Sequence, residues 1–480
     1  MQITCTFFLT VVSLLCSKGL ASTPVNTIPS FLNDLKQKYS HQPTFLQAVE
    51  EMASSLSELF DDPAHGDFYQ RAFKIMTEPE RIISFRVPWI DDNGNFNINK
   101  GYRVEFSSAL GPYKGGLRFH PTVDEGLLKF LGFEQVFKNA LTGLPLGGGK
   151  GGSDFDPKNK SDNEIMRFCQ SFMIELHRYL GATTDVPAGD IGVSGKEIGF
   201  MDGMYKRLVN RHGEGVLTGK SILTGGSQLR PEATGFGLVY IADMAIHDHE
   251  SMNFQPLQGS NCAVSGSGNV AQYAALKLLE LGAKVISMSD SDGVLYFEKG
   301  MTKSDWYTIV NAKQNERKRL HQIQDLVSGE YLANKSPWTM QRCKIDYAFP
   351  CSTQNELTCQ KIVIMIENGL LGVFEGANLP TDLSAQAELR KHPSIIYIPG
   401  KAANAGGVGV SGFEMSQNAQ KLTWNREAVD EKLRNLMEHI YTQLVNAAGV
   451  DGTLASGANK AGFLRVATAM KDLGWLVESP

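Results

Sequence analysis

The stretch from Asn261 to Ala271 constrains the fold more than any other. A short apolar run, Asn261–Ser265, leads into Gly266-Ser267-Gly268-Asn269-Val270-Ala271, and a helical pattern continues to Leu281. Between a strand and a helix, the first glycine permits a tight turn and the second lets a pyrophosphate reach the backbone. The small third residue allows close helix–strand packing. Open amides at the helix start then favour an anion. A second strand, Lys284–Met288, runs into Ser289-Asp290-Ser291, so an acidic residue falls about twenty positions after the glycines, where a ribose-reading group belongs. A purely structural βα turn would leave that spacing without a reason. The expected ligand is a dinucleotide held by Gly266, Gly268 and Asp290. Asp290 alone favours a free 2′-hydroxyl, whereas Ser289, Ser291 and Lys313, with Arg317, Lys318 and Arg319, could serve a 2′-phosphate. A solvated helix face explains that basic run equally well, so the residues leave the choice open.

Further strand-like runs at Ile345–Phe349, Gly372–Phe374 and Ile395–Ile398 alternate with helical segments, which predicts an open, mostly parallel sheet. Upstream, helical periodicity covers Ser30 to Leu59. Strand-like runs follow at Ile82–Trp89 and Asn97–Phe106, then helices from Pro121 to Leu141, Glu164 to Leu180 and Glu197 to Asn210. The character of the chain changes around Gly225-Gly226-Ser227. The fold class expected is α/β with two domains. The first, residues 22–225, is an α/β substrate and oligomerisation domain. The second, residues 226–454, is Rossmann-like, and residues 455–480 form a helix that packs back on the first.

Residues 1–21 read as a cleavable leader: an apolar run from Ile3 to Cys16, then Gly19 and Ala21 at signal-peptidase spacing. Secretory entry and organelle (plastid-type) targeting fit equally, with a cytoplasmic chain as the alternative. The run is too short to span a bilayer, and no other stretch is long enough. The net charge of −5 supplies no basic field for nucleic acid. Beyond the leader the cysteines, Cys169, Cys262, Cys343, Cys351 and Cys359, are odd in number and irregularly spaced, which indicates neither zinc nor a disulfide scaffold. No metal is expected.

Glycine makes up 48 of the 480 residues, and part of the excess surrounds lysines. Gly147-Gly148-Gly149-Lys150-Gly151-Gly152 is not a triphosphate loop, because Leu144 and Gly151 stand where that pattern needs Gly and Ser/Thr. What remains is a lysine set in bare backbone. Lys114 lies in Gly111-Pro112-Tyr113-Lys114-Gly115-Gly116, and Gln135 and Lys138 share one face of the preceding helix. Converging lysines would depress one another's pKa, and burial would depress them further, leaving one amine neutral near pH 7 as a general base. Asp190, in the loop-like Pro187-Ala188-Gly189-Asp190, could shuttle protons. Three surface lysines in turns are the alternative.

The segments Pro112–His120, Lys129–Asn139, Leu144–Pro157, Thr184–Gly192, Arg230–Tyr240, Val264–Gln272, Pro350–Leu357, Glu375–Pro380 and Gly400–Gln417 resemble, in order, the hexameric glutamate dehydrogenases of short-subunit type. The resemblance implies roles. Lys150 matches the catalytic lysine and Asp190 the proton-transferring carboxylate. Lys138, Gln135 and Gly189 fall in the α-carboxylate and substrate region, and Lys114 with Ser411 matches the pair that grips the side-chain carboxylate. Thr234, Asn269 and Asn404 match nicotinamide-cofactor contacts, and Asp290, Ser291 and Lys313 resemble a 2′-phosphate site, which implies NADP(H) rather than NAD. Leucine and phenylalanine dehydrogenases, similar in fold, carry apolar residues in place of Lys114 and Ser411. The expected substrates are L-glutamate, 2-oxoglutarate and ammonium, and the expected assembly is a homohexamer. A non-catalytic binding protein that kept the fold is the competing expectation.

Overall fold

The computed structural model describes residues 27–212, 215–249, 255–340, 342–449 and 452–477. The apolar run Ile3–Cys16 and the proposed cleavage point at Ala21 lie outside the described residues. Two sheets organise the chain. The first has the order β1-β2-β4-β3-β5, from β1 (Arg81–Ile90), β2 (Phe96–Ser107), β3 (Tyr113–Phe119), β4 (Gly148–Ser153) and β5 (Asp185–Gly189). The β1–β2 and β2–β4 pairs are antiparallel, whereas β3 runs parallel to both β4 and β5.

Only β1 and β2 are legible as strands in the sequence. β4 was expected as open glycine backbone and β5 as a loop, yet both are strands in the middle or at the buried edge of the sheet. Their glycines carry no β-propensity of their own. The small residues instead let the sheet sit close beneath the Glu125–Leu141 helix, where Gly148 lies against Val136. That helix starts at Glu125 rather than Pro121, because the Asp124 side chain caps it by accepting from the Leu127 amide at 2.7 Å. Its residues from Leu128 to Phe137 are all buried, the mark of a helix enclosed by the protein.

The second sheet has the order β12-β11-β10-β6-β7-β8-β9. Its strands are β6 (Asn261–Val264), β7 (Lys284–Asp290), β8 (Gly293–Tyr296), β9 (Glu330–Ala333), β10 (Tyr347–Phe349), β11 (Gly372–Phe374) and β12 (Ile396–Ile398). The five strands from β12 to β7 are mutually parallel, and β8 and β9 extend the sheet antiparallel. β6 sits between β7 and β10, so the connections leave it in opposite directions. In such sheets the crevice outside the carboxyl end of that strand is where ligands bind.

The single helical pattern expected from Ser30 to Leu59 is three helices, Ile28–Lys38, Pro43–Ser55 and Ser57–Phe60. Pro43 opens the second, since proline suits a first turn and not an interior. Their core includes Phe45, Phe60 and Phe73 and is completed by Phe463, Val466, Ala467 and Met470 of the Leu454–Asp472 helix. Cys169 and Cys262 are fully buried among apolar neighbours. Among the described residues no helix is long and apolar enough to cross a membrane, and no His, Cys, Asp and Glu group is arranged to hold a metal.

Candidate active site

The parallel core of the first sheet brings the charged residues together. Lys114 and Gly116 lie on β3, Lys150 on neighbouring β4, and Asp190 just past the end of β5. Lys150 Nζ lies 3.3 Å from Asp190 Oδ1, and Arg118 Nε donates to Asp190 Oδ2 at 2.7 Å. Gly116 makes this approach possible: a Cβ there would stand 2.8 Å from Asp190 Cβ and 3.3 Å from Lys150 Nζ. Burial disfavours the Asp190 anion, but the cations of Lys150 and Arg118 outweigh it and hold the carboxyl below the usual range. Burial pushes the Lys150 ammonium down, and Asp190 opposes that shift.

Lys138 faces the same region from the Glu125–Leu141 helix. Burial first, and the Lys150 charge second, lower it to about 7. Among the described residues its ammonium has no hydrogen-bond or ion-pair partner. A half-buried cation in that state is poised to take an anion. Gln135, on the same face, donates to Asn139 Oδ1 at 2.7 Å, and Asn139 in turn donates to the Lys114 and Gly147 carbonyls. Gly189 ends β5 beside Asp190.

Lys114 is fully buried, its ammonium donating to Thr218 Oγ1 at 2.8 Å and to the Val186 carbonyl at 3.0 Å. Burial, then Arg230 and Arg103, push it well below its ordinary value. Mutual repulsion among the three lysines therefore does not dominate. Burial is the main cause in each, Lys138 feels Lys150, and Lys114 feels two arginines. Ser411, on the Gly406–Gln420 helix, accepts from Arg230 Nε at 2.9 Å, so Arg230 joins the second half of the chain to the lysine site. Sequence reasoning missed Arg230, Arg118 and Thr218. Only the glycine-rich break just before Arg230 hinted that the segment approaches something closely.

The dinucleotide signature lies at the carboxyl end of β6. Gly266 has φ +82°, and a Cβ there would meet the Cys351 carbonyl at 3.0 Å, whereas the space around Gly268 is open. The Asn269–Glu280 helix begins without a side-chain cap, leaving its first amides for a phosphate. Asn269 Nδ2 donates to the Pro231 carbonyl. Thr234 lies near the start of the Ala233–Asp248 helix, its hydroxyl against the Gly407 backbone. Asn404 Nδ2 donates to the Gly376 and Ala377 carbonyls and to Asn378 Oδ1, while Asn404 Oδ1 is buried without a partner. That orphaned acceptor, the open turn and the uncapped helix fit a dinucleotide with a carboxamide end.

Both Asp290 oxygens accept backbone amides, from Asp292 at 3.0 Å and Leu320 at 2.9 Å. The carboxylate thus draws the 315–320 loop onto the end of β7. That loop carries Arg319, whose Nη1 donates to Ser291 Oγ at 2.7 Å. Lys313 lies nearby, lowered by burial and by the Arg319 charge and raised by Asp290 and Asp292. The basic run is therefore not merely a solvated face: Arg319 bonds Ser291, and Lys313 feels the charges of Asp290 and Asp292.

Comparison with known proteins agrees with this geometry. The model of the glutamate/leucine/phenylalanine/valine dehydrogenases matches residues 225–474, and that of their dimerisation domain matches residues 79–207. An NADP-specific glutamate dehydrogenase from Giardia intestinalis is 48% identical, covering 94% of this chain and 99% of its own. That of Escherichia coli (strain K12) is 48% identical over 93% and 98%. A solved Plasmodium falciparum glutamate dehydrogenase superposes with a TM-score of 0.87 at 47% identity, over 93% of this chain and 94% of that one. With a basic cleft on one sheet, a dinucleotide turn on the other and likeness along nearly its whole length, the chain belongs to the glutamate/leucine/phenylalanine/valine dehydrogenase family.

Proposed function

We infer that the chain catalyses the reversible conversion of L-glutamate, water and NADP⁺ into 2-oxoglutarate, ammonium, NADPH and a proton. The observation that carries the reading is the largely buried Lys150–Asp190–Arg118 array beside the ammonium of Lys138, unpartnered among the described residues. NADP, when bound, supplies the hydride acceptor. Lys138 and Gln135 hold the α-carboxylate of glutamate, next to Gly189. Lys114 and Ser411, the latter fixed by Arg230, hold the side-chain carboxylate. Asp190 takes a proton from the substrate ammonium. Lys150, its amine made available by burial, draws a proton from the water that attacks the imino carbon and returns one as ammonium leaves. Closure of the two sheet-bearing halves over the site would exclude water from it.

Gly266 and Gly268 would receive the pyrophosphate, Thr234, Asn269 and Asn404 the nicotinamide half, and Asp290 the adenosine ribose. Ser291, Lys313 and Arg319 would hold its 2′-phosphate. NADPH oxidation with 2-oxoglutarate and ammonium, run beside NADH, tests the reading: rapid turnover restricted to NADPH is expected, and turnover with neither cofactor rejects it.

The assembly is a homohexamer. β1 is an open sheet edge, and Ile90, Phe96 and Ile98 are exposed together on the hairpin it forms with β2, which supports self-association. Light scattering should return six times the chain mass. The N-terminal run acts as a leader cut after Ala21, so sequencing of the mature protein should begin at Ser22.

A further inference from the structure

Glu414 has no part in the chemistry above, yet it is fully buried one turn beyond Ser411. Its Oε2 accepts the Gly219 amide at 2.9 Å, and Oε1 accepts the Lys220 ammonium at 2.7 Å. The Lys220 ammonium is itself buried and also donates to the Leu217 carbonyl. Thr218, in the same short segment, donates its amide to the Pro187 carbonyl at 3.0 Å and accepts the Lys114 ammonium on its hydroxyl. A continuous path thus runs from the Gly406–Gln420 helix through residues 217–220 to Lys114.

The charges follow the same path. Burial first, then Arg230 and Arg103, disfavour the charged form of Lys114, and Glu414 and Asp185 favour it. Asp185 is already gripped by Arg103 through both oxygens. Glu414 is also the carboxylate that offsets the half-buried Arg230. Without it, Arg230, Lys114 and Lys220 would form an uncompensated group of cations, and the most readily titrated would lose its proton.

We propose that Glu414 is a positioning residue for substrate selection: by clamping Gly219 and Lys220 it fixes the Thr218 hydroxyl, and so the Lys114 ammonium that distinguishes a side-chain carboxylate from an apolar side chain. The proposal rests on the reading of Lys114 as the side-chain-carboxylate binder. It is a claim about specificity, and uniform loss of activity does not support it.

Its test compares L-glutamate with L-norvaline, which lacks the side-chain carboxylate, using NADP and the full-length enzyme. Glu414→Gln should lower kcat/KM for glutamate tenfold or more, change that for norvaline less than threefold, and leave the KM for NADP within twofold. Glu414→Asp should restore part of the discrimination. An unchanged glutamate-to-norvaline ratio, or equal losses on both substrates, overturns the proposal. Should Glu414→Gln not fold, the paired Lys220→Met, Glu414→Leu variant removes both buried charges at once. Lost discrimination is expected there too, and retained discrimination overturns the proposal. If the unaltered enzyme does not turn over glutamate, the reading of the reaction fails; an unchanged ratio in an active enzyme removes only the role of Glu414.

Discussion

Two single residues set the working conditions of the site. Lys138, lowered to about 7, is charged below that pH and neutral above it. A substrate carboxylate pairs only with the charged form, so binding above pH 7 requires proton uptake. The KM for 2-oxoglutarate should rise by up to about tenfold per pH unit above 7, measured from pH 6 to 9, and Lys138→Met should flatten that slope while raising KM throughout. Gly116 leaves room for nothing else. Gly116→Ala must displace Asp190 and Lys150, and since misplacement by about 1 Å can cost a hundredfold, kcat should fall by about that factor. Circular dichroism should remain near that of the unaltered chain. Lys114, Lys138 and Lys150 were legible in the sequence because glycines or a shared helical face set them apart. Arg118 and Thr218 were not, since nothing in their immediate neighbours distinguishes them from surface polar residues, and Arg230 was marked only by the glycine-rich break before it.

At the scale of elements, the sequence exposes whatever alternates or repeats along one strand or helix. The β6–helix unit was legible because its turn chemistry is local. β3, β4 and β5 were not: almost wholly buried and made largely of glycine and other small residues, with Val186 their only β-branched member, they offer no alternation. The antiparallel β8–β9 extension also escaped notice, being four residues per strand. The loop that Asp290 draws onto β7 gives a prediction of its own. Arg319→Ala removes a cation that bonds Ser291, so the KM for NADPH should rise about tenfold while that for NADH stays within twofold, read from paired titrations.

In the molecule as a whole, segments far apart in sequence meet on one ammonium. Lys401 lies 3.3 Å from Glu134 and 3.8 Å from Glu51, and donates to Asn459 Oδ1 at 2.6 Å. Lys401→Met would strand two carboxylates in the interior, at a cost of about 3–5 kcal/mol, and thermal unfolding should register it as a clear fall in midpoint. No local pattern foretells such a meeting, because its members are separated by up to several hundred residues. The Leu454–Asp472 helix has a related consequence for synthesis. Phe463, Val466, Ala467 and Met470 complete a core whose other residues lie mostly in the first third of the chain. The earliest-made lobe must therefore wait on the ribosome, its aromatic interior unsealed, until the carboxyl terminus emerges. A chain stopped at residue 453 should accumulate as aggregate rather than as a soluble, shortened protein.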